Sequence, residues 1–476
     1  MTTIVWFRRD LRLADHGPLA AACARGRPIV PVYVHDDAGD PWAPGAASRV
    51  WLHHSLAALG RDLAARGSPL LLRRGPTVEV LEALAAETGA EALAFNRRHE
   101  PHERAREARV RARLGDRLAL LVSDDALLVA PERLATGGGR PYRVYTPFWR
   151  RLREVFAAGP PQPPPRRLPP PSRPPATLPL AALELLPRIR WDLELVGHWA
   201  IGEAGARRRL DAFAADGIED YASLRDLPGA DGVSRLSPHL HFGEISPRQA
   251  WHAIAAQAAA SGRLGISDEA LVWLRQLAWR EFAQHLLHHH PATSDAPLRE
   301  EFMRFPWVED AAGLARWQRG ATGYPIVDAG MRELWRTGWL HNRVRMIVAS
   351  FLIKDLGVHW REGARWFWDT LVDADLANNT LGWQWTAGCG ADAAPYFRIF
   401  NPVLQSAKLD PQGHYLRRWL PELAALPTAA LHAPWRAAPA TLAAAGLRLG
   451  VDYPAPILDH AAARSAALAR LKRMST

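Results

Sequence analysis

Short apolar runs alternate with longer helical patterns over the first 130 residues of the chain. The apolar runs lie at 3–7, 29–35, 70–72, 92–95 and 118–122, and helical periodicity occupies 47–66, 77–88 and 103–114. Strands that alternate with helices are typical of βαβ units, so this region is predicted to be an α/β domain with a doubly wound parallel sheet. No G-x-G-x-x-G sequence follows the first run, so a dinucleotide-type phosphate turn is not expected there.

A proline-rich segment interrupts the pattern. Residues 159–175 contain ten prolines in seventeen residues, which excludes a helix or a central strand and predicts an extended segment. This composition fits a ligand for a proline-recognising domain or a spacer between domains, and we favour the spacer.

From about residue 198 the pattern is helical almost to the end of the chain. Helical periodicity occupies 200–215, 247–260, 268–289, 324–337, 341–356 and 360–372. We therefore predict an α/β domain over 1–130, an inter-domain linker over 131–198 and an all-helical domain over 199–476.

The composition is that of an ordinary globular protein. Apolar residues make up 48% and charged residues 23% of the 476 residues, which is enough for large cores and for two to four domains. No apolar stretch reaches the roughly 18 residues of a membrane span, and the charged amino terminus does not fit a signal peptide. With only two cysteines, no disulfide framework is expected, and we predict a cytoplasmic protein.

Basic residues and tryptophans are both in excess. Lys and Arg number 59 against 49 Asp and Glu, a formal charge of +10, which suits a polyanion such as nucleic acid. Arginine-rich codon usage is the alternative explanation, because nearly all of these cations are Arg. The 20 Trp outnumber both the 13 Phe and the 8 Tyr. Most of them are expected in cores, but the number also suggests stacking or electron transfer.

Seven motifs in a fixed order identify a family. They are WFRRDLR (6–12), SRLSPHLHFGEISP (234–247), WREF (279–282), TGYPIVDAGM (322–331), GWLHNRVRM (338–346), DADLANN (373–379) and GWQW (382–385). With them the chain closely resembles the DNA photolyase/cryptochrome family, above all bacterial cyclobutane pyrimidine dimer photolyases of the class I type. The resemblance covers essentially the whole chain. It implies an antenna-type α/β domain joined by a long loop to an all-helical FAD domain, an architecture that the patterns predict independently.

The resemblance implies a set of FAD-binding residues. They are Tyr221, Val233, Ser234, Arg235, Leu236, Ser237, Trp273, Arg280, Arg345, Asp373, Ala374 and Asp375. Ser234, Arg235 and Ser237 offer hydroxyls and a fixed positive charge to a pyrophosphate, although serines before an apolar run also cap helices. Val233 departs from the threonine that the family often has. A buried carboxylate needs a partner, and we expect Arg345 to pair with Asp373.

Redox roles follow from the same resemblance. Asn379 aligns with the residue that faces N5 of the flavin, where an amide can hydrogen-bond a protonated N5. Some cryptochromes have Asp or Cys at that position, so Asn379 favours repair. Trp383, Trp360 and Trp307 align with the family's relay of oxidisable indoles between the flavin and the surface.

The substrate that the family implies is a pyrimidine dimer flipped out of the duplex. Aromatic walls, an amide donor and an adaptable apolar contact are assigned to Trp279, Trp385, Asn342 and Met346. Because enzymes that repair (6-4) photoproducts have histidines at the last two positions, cyclobutane dimers are the better substrate. Contacts with the DNA are assigned to Arg225, Arg343 and Gln405. For each arginine the alternative is an ordinary solvated surface residue.

Gln276 departs from the pattern of the dimer photolyases. Many of them have Glu three residues before Trp279, and this chain has Gln276 there. An amide donates a hydrogen bond but does not readily give up a proton. Gln at this place is familiar in (6-4) enzymes and in animal cryptochromes. We expect Gln276 to bind the dimer and to split it less efficiently.

Two other features concern metals and a second chromophore. His285 and residues 288–290 form a histidine cluster, but no second cluster with zinc-type spacing accompanies it, so we predict no metal site. The family implies an antenna chromophore, which leaves a folate, a deazaflavin, another flavin or none. Folate-binding relatives have an Asn-Glu pair after the fourth strand, where this chain has His102 and Glu103.

The leading hypothesis is a monomeric, light-driven lyase that acts on UV-damaged DNA. Excited reduced FAD would donate an electron to the dimer, the ring would split, and the electron would return. The alternatives are a blue-light receptor of the cryptochrome type and a (6-4) photolyase. Family-like sequence runs almost to Thr476 and leaves no long signalling tail, whereas Gln276 favours the receptor.

Overall fold

The structure is a computed structural model that describes residues 2–36, 38–157, 159–260, 267–393 and 397–475. Its contacts divide the chain into two compact units. The first comprises Met1–Glu219, Ser234–Pro291 and Val372–Ala377, and the second comprises Asp220–Val233, Ala292–Leu371 and Asn378–Thr476. The domain limits at 130 and 198 stay a prediction.

A five-stranded parallel sheet forms in the first unit. The strands are β1 (Thr2–Phe7), β2 (Ile29–His35), β3 (Leu71–Arg74), β4 (Ala90–Asn96) and β5 (Ala119–Ser123). Their order is β3-β2-β1-β4-β5, and each neighbouring pair is parallel. The order reverses between β1 and β4, which is the switch point of a doubly wound sheet. The predicted fold class is confirmed.

The described residues also form helices along most of the chain. In chain order they are α1 (Gly17–Ala24), α2 (Ala46–Ala64), α3 (Thr77–Thr88), α4 (Pro101–Leu114), α5 (Tyr145–Val155), α6 (Asp192–Gly197), α7 (Glu203–Ala212), α8 (Tyr221–Leu224), α9 (Ser237–His241), α10 (Pro247–Ala260), α11 (Asp268–His289), α12 (Ala311–Gln318), α13 (Pro325–Thr337), α14 (Asn342–Ser350), α15 (Trp360–Thr370), α16 (Leu376–Ala387), α17 (Pro402–Leu409), α18 (His414–Trp419), α19 (Thr428–Leu431), α20 (Pro439–Ala444) and α21 (His460–Ser475). Of the helices that the structure describes, none combines the length and the apolar character that a membrane crossing requires.

Both faces of the sheet are buried. Val5 and Phe7 of β1 belong to one apolar cluster, and Ile4 and Trp6 belong to another, because successive side chains of a strand point to opposite faces. Trp51 of α2 is fully buried in the first cluster. Helices α3 and α4 supply side chains to the second. This double cover explains why the strands are continuous apolar runs in the sequence.

The proline-rich segment is fixed to the sheet. Residues 159–175 contain neither helix nor strand, as predicted. Leu168 is fully buried, and its N–H donates to the carbonyl of Arg66 at 2.8 Å. The carbonyl of Pro169 accepts from the N–H of Ile29, the first residue of β2, at 2.7 Å. The spacer is therefore an anchored strap rather than a free linker.

The sequence patterns do not predict α1 and α5. Helix α1 has only eight residues and begins with Gly17 and Pro18, so its apolar period is short; the side chain of His16 caps it by accepting from Leu19 N–H. Helix α5 lies in the region predicted as linker. Its buried side chains follow a spacing of three and four and are Tyr145, Phe148, Trp149 and Leu152.

The second unit is helical in its described part. The helix predicted over 341–356 forms α14 and then a π-helical turn, Phe351–Asp355. The start of α13 is fixed by the fully buried Asp328, whose carboxylate accepts from the backbone of Thr322 and Gly323 and from the hydroxyl of Tyr453 at 2.7 to 2.9 Å. Satisfied buried carboxylates of this kind hold loop ends in place.

Candidate functional site

The predicted site residues are divided between the two units. The first unit holds Ser234, Arg235, Leu236, Ser237, Trp273, Gln276, Trp279, Arg280, Asp373, Ala374 and Asp375. The second holds Tyr221, Arg225, Val233, Trp307, Asn342, Arg343, Arg345, Met346, Trp360, Asn379, Trp383, Trp385 and Gln405.

A tight turn leads into α9 in the first unit. Arg235 has φ of 50°, in the left-handed region, a backbone conformation that residues other than glycine adopt mostly at sites that need it. Arg209 Nε donates to the carbonyl of Ser234 at 2.8 Å, and this hydrogen bond helps to hold the turn in place. Leu236 is buried and Ser237 is exposed. The turn therefore presents hydroxyls and a guanidinium, a donor set that fits a pyrophosphate.

One face of α11 gathers three polar and aromatic side chains. Trp273, Arg280 and Gln284 share this face, because spacings of seven and four residues return to the same side of a helix. Trp273 is buried, with its ring centroid 5.7 Å from that of Phe213. Gln284 Nε2 donates to Asp375 Oδ2 at 2.9 Å. Gln284 is not among the residues predicted from the sequence, although its helical spacing from Trp273 points to it.

The Asp373–Asp375 stretch is buried in the first unit. Asp373, Ala374 and Asp375 are 8%, 2% and 7% exposed. A carboxylate removed from water needs hydrogen-bond donors, and Gln284 supplies one to Asp375. The N–H of Asp375 also donates to the carbonyl of Asp373 at 2.7 Å. The pairing of Asp373 with Arg345 stays a prediction; Arg345 Nε donates to the carbonyl of Leu340 at 2.9 Å.

Arg280 and Glu281 attach α11 to the loop that follows β5. Arg280 Nη1 donates to the carbonyl of Ala126 at 2.9 Å and lies 3.2 Å from Glu281 Oε1. Glu281 Oε2 accepts from the N–H groups of Leu128 and Val129 at 2.8 and 3.4 Å. Burial raises the pKa of Glu281 to about 7, against the lowering effect of Arg280 and of these N–H groups. Glu281 is a second buried residue to which the sequence analysis gave no role.

Gln276 and Trp279 lie one turn apart on α11. Gln276 Nε2 donates to the carbonyl of Val272 within the same helix at 3.0 Å, so one amide N–H is already engaged. Trp279 is partly exposed. Its ring is parallel to that of Tyr145, with 3.8 Å between centroids.

A cavity of about 80 Å³ lies beside the carboxyl ends of β1 and β2 in the first unit. Its lining combines aromatic rings with several cations and includes Trp6, Arg8, Tyr33, Arg106 and Phe242. The carboxyl edge of a parallel sheet is where ligands of α/β folds bind. The lining also includes the carboxylates of Asp36, Asp40 and Glu103, so its charge is mixed.

Glu103 is part of this cavity wall but is not an open carboxylate. Both Arg8 and Arg106 form ion pairs with it. Burial alone would raise the pKa of Glu103, but these two cations lower it to about 2. His102 Nε2 lies 3.1 Å from Arg106. The pair predicted from the folate-binding relatives is therefore tied into an internal ion network.

In the second unit, Trp383 is embedded among apolar groups. It is 2% exposed, and its ring lies 5.0 Å from that of Phe367 and 6.2 Å from that of Trp317, centroid to centroid. Trp317 is itself fixed, since its Nε1 donates to the carbonyl of Val348 at 2.9 Å. Trp383 therefore has a single, packed orientation against α15.

Trp360 and Trp307 lie on either side of His359. The ring centroid of His359 is 4.7 Å from that of Trp307 and 5.6 Å from that of Trp360. Trp360 is 1% exposed, whereas Trp307 is partly exposed. Burial lowers the pKa of His359 to about 4, so its ring is neutral at pH 7. The aromatic groups thus lead from a buried indole to one that water can reach.

The orientation of Asn379 is set by α15. Its Nδ2 donates to the carbonyl of Ala364 at 2.9 Å. With the amide nitrogen held there, Oδ1 becomes the acceptor that Asn379 offers to a ligand. This orientation fits a flavin whose N5 carries a proton, which is the role expected for Asn379.

Two arginines that were assigned to DNA converge on one carboxylate. Arg343 donates through Nε and Nη2 to both oxygens of Asp226, each at 2.8 Å, and Arg225 Nε lies 3.6 Å from Asp226. Burial raises and Arg343 lowers the pKa of Asp226, with a net lowering. Arg225 also lies over the ring of the buried Tyr221, 5.3 Å from its centroid. A phosphate that approached Arg343 would compete with Asp226.

The other residues of the second unit that are predicted to contact the lesion or the DNA differ in their exposure to solvent. Asn342 is exposed and Met346, Trp385 and Gln405 are partly exposed. The indole of Trp385 donates to the carbonyl of Asp392 at 3.1 Å. Among the described residues, no group of three or more histidines, cysteines and acids is arranged to hold a metal ion.

Comparison with known proteins identifies the family. The model described as "DNA photolyase" matches residues 3–170, and the one described as "FAD binding domain of DNA photolyase" matches 273–473. A deoxyribodipyrimidine photo-lyase from Agrobacterium fabrum is 45% identical over 98% of this chain and 96% of its own length. The chain belongs to the DNA photolyase/cryptochrome family. Its matched FAD-binding domain makes FAD the cofactor, as predicted.

Two further matches span the chain. Cryptochrome-1 of Arabidopsis thaliana is 37% identical over 97% of this chain and 69% of its own length. The crystal structure of a bacterial class III photolyase from Agrobacterium tumefaciens has a TM-score of 0.95 at 44% identity and covers 100% of this chain and 98% of that one. The identity is thus higher to these photolyases than to the cryptochrome.

Proposed function

We propose that this protein is a light-driven deoxyribodipyrimidine photolyase that splits cyclobutane pyrimidine dimers in UV-damaged DNA. It acts as a cytoplasmic monomer. The observation that carries the proposal is the partly exposed Trp279, a flat ring fixed on one side by Tyr145 and suited to stack against a flipped base. Full-length similarity to deoxyribodipyrimidine photo-lyases supports it.

The predicted FAD-binding residues hold the cofactor through their own chemistry. Ser234, Arg235 and Ser237 bind the phosphates with hydroxyls and a guanidinium, while Asp373 and Asp375 accept hydrogen bonds from the cofactor. Tyr221, Val233, Leu236, Trp273, Arg280, Arg345 and Ala374 complete the set. When bound and reduced, FAD supplies the electron that light excites.

Asn379 offers an uncharged acceptor to this cofactor. Its Nδ2 is engaged by the carbonyl of Ala364, so Oδ1 would accept the hydrogen of a protonated N5 and would add no charge that opposes the reduced state. An aspartate there would add a negative charge beside the ring.

Trp383, Trp360 and Trp307 would pass electrons inward to a bound FAD and so keep it reduced. The partial exposure of Trp307 supports this direction, because it is the member of the three that water can reach. His359 is neutral between Trp307 and Trp360, so its ring adds no positive charge that would oppose the formation of an oxidised indole.

The lesion site selects cyclobutane dimers. Trp279 and Trp385 provide aromatic faces, Asn342 an amide and Met346 an apolar contact. Neither Asn342 nor Met346 can transfer a proton in the way that the histidines of (6-4) enzymes do. Gln276 keeps its carbonyl and one N–H for the dimer. Arg225, Arg343 and Gln405 contact the DNA.

The cavity at the carboxyl ends of β1 and β2 is our candidate for the antenna chromophore. Its lining of aromatic rings and of charges of both signs suits a flat, polar chromophore such as a folate, a deazaflavin or a flavin. Reconstitution with each compound, followed by energy transfer to FAD in the fluorescence spectrum, identifies which one binds.

The test uses purified protein with photoreduced FAD and a thymine cyclobutane dimer in duplex DNA. We expect loss of the dimer under blue light and none in a dark control. Binding and reduction of FAD without light-dependent reversal would refute the repair function and favour a sensory role. In that case the (6-4) lesion is the next substrate to test.

A further inference from the structure

Tyr145 and Trp279 form a closely stacked pair in the first unit. Their ring planes differ by 3°, and their centroids are 3.8 Å apart. Among the described residues, the other ring in contact with Trp279 is Phe282, which meets it nearly edge-on at 5.8 Å. Tyr145 is 5% exposed, whereas Trp279 is partly exposed. The tyrosine is thus the buried member and the tryptophan the accessible one.

Tyr145 is itself rigidly held. Its hydroxyl donates to the carbonyl of Arg275 on α11 at 2.8 Å, and its ring meets that of Phe282 at 5.9 Å and 72°. Phe148, one turn further along α5, is fully buried and packs on Phe282 and His285 at 5.1 and 5.3 Å. The start of α5 is therefore docked on α11 by rings and by one hydrogen bond, so it has little freedom to move.

We propose that Tyr145 is the positioning residue for the lesion-binding ring of Trp279. By covering one face of the indole, Tyr145 leaves only the other face for a base and fixes the plane in which that base must stack. This proposal rests on the proposed function, because it names what prepares Trp279 for the dimer. Tyr145 itself does not contact DNA in this scheme.

Stacking on Tyr145 orders the side chain of Trp279 before DNA binds. A partly exposed tryptophan on a helix would otherwise sample several side-chain rotamers, and binding would have to select one of them. A parallel ring at van der Waals distance restricts these rotamers. Undamaged duplex does not insert a base beside Trp279, so it gains nothing from this restriction. The effect is therefore specific to lesion-bearing DNA.

A purely structural role makes a different prediction. If Tyr145 only filled the core between α5 and α11, its removal would lower stability and weaken all DNA binding together. The ratio of the dissociation constants for intact and dimer-containing duplex separates the two cases. FAD content and melting temperature report the structural part.

The experiment compares three substitutions at Tyr145 with a control on the same helix. Tyr145→Phe keeps the ring and removes the hydroxyl, whereas Tyr145→Leu and Tyr145→Met remove the flat ring. Trp149→Leu is the control, because Trp149 is 6% exposed and packs on Trp251 at 6.2 Å, so it removes a buried ring of α5 with a different partner. Binding is measured in the dark on duplexes with and without one dimer.

We expect Tyr145→Leu to weaken binding of the dimer duplex about tenfold and to leave binding of the intact duplex unchanged. Tyr145→Phe should stay within about threefold of the parent protein. Trp149→Leu should lower the melting temperature without changing the ratio. If the leucine variant does not fold, Tyr145→Met, whose longer and more flexible side chain can adapt to the gap, gives the same comparison.

A double-substitution cycle tests whether Tyr145 acts through Trp279. In a Trp279→Ala background, Tyr145→Leu should cause no further loss of lesion affinity. An unchanged ratio in Tyr145→Leu, an equal loss in Trp149→Leu, or a full additional loss without Trp279 would each overturn the proposal. A parent protein that does not distinguish the two duplexes would instead refute the proposed function.

Discussion

A β-carbon on Gly363 would lie 2.0 Å from Cη2 of Trp383. The indole of Trp383 therefore lies directly against the backbone of α15, the helix that begins with Trp360. A glycine inside a helix costs stability compared with alanine, and this close contact accounts for its presence at 363.

Gly363→Ala should displace Trp383 and slow the photoreduction of FAD several-fold. Overpacking of this kind also costs about 1–3 kcal/mol of stability. The rate is measured by transient absorption after a laser flash, and the stability by urea unfolding. Gly382→Ala is the matched control, since an added β-carbon there meets nothing within 4 Å. That variant should photoreduce normally and gain about 0.5–1 kcal/mol; an equal slowing in both variants would contradict the explanation.

Removing the carboxylate that holds Arg343 should strengthen binding to DNA. Asp226→Asn leaves both arginines without their charged partner, so they become available to phosphates, and we expect affinity at low salt to rise about threefold for intact and damaged duplex alike. The dissociation constant is measured against salt concentration. Asp452→Asn makes the same change in net charge at the exposed Arg448–Asp452 pair, and it should leave affinity unchanged.

Gln276→Glu should raise the quantum yield of dimer splitting. Gln276 now donates to the carbonyl of Val272, which an ionised glutamate cannot do. A glutamate at 276 must therefore turn away from that carbonyl as a carboxylate or hold a proton, and its protonated form supplies an acid that the amide cannot. The yield is measured under blue light with saturating substrate. An unchanged yield would mean that the amide already serves as well as the acid.

Acid should destabilise the fold through buried histidines. Burial lowers the pKa of His285 to about 3, and its Nε2 accepts from the N–H of Tyr142 at 3.0 Å, which requires a neutral ring. As the pH falls from 6.5 to about 3, His285 takes up a proton in the unfolded chain but not in the folded one. The free energy of unfolding therefore falls by up to about 1.4 kcal/mol for each pH unit. Glu281 has the opposite effect, because its raised pKa of about 7 means that the folded chain binds its proton before the unfolded chain does. Its protonation therefore increases the free energy of unfolding as the pH falls.

Urea unfolding at pH 7, 6 and 5 checks this slope. His285→Gln keeps an acceptor for Tyr142 but does not titrate, so its stability should depend less steeply on pH than that of the parent protein. Glu281 is present in both proteins, and its contribution cancels in the comparison. Parallel slopes would exclude His285 as a source of the acid sensitivity.

The sequence predicts the positions of helices and strands better than it predicts which of them pack together. The strands and α10, α11 and α15 begin at or near the predicted residues, because short apolar runs decide the strands and longer helical periods decide the helices. The eight residues of α1 are too few for a clear period. Helix α5 lies just before the proline-rich segment, and its amphipathic residues fall within the region predicted as linker.

The motifs likewise identify site residues but not what holds them. Gln284 and Asp375 are 91 residues apart, and Arg343 and Asp226 are 117 apart. Periodicity acts over a few turns of one helix, so it contains no information about such pairs. Tyr145 illustrates this limit, since only the docking of α5 on α11 brings it to Trp279.

The proline-rich strap also affects the unfolded chain. Each proline fixes one backbone angle before folding begins, so the segment has less conformational freedom to lose when it is anchored to Arg66 and Ile29. Few backbone hydrogen bonds then suffice to keep it in place. The proline-rich strap has no regular secondary structure, yet it loses little conformational entropy on folding. It therefore stabilises the protein largely by limiting the freedom of the unfolded chain.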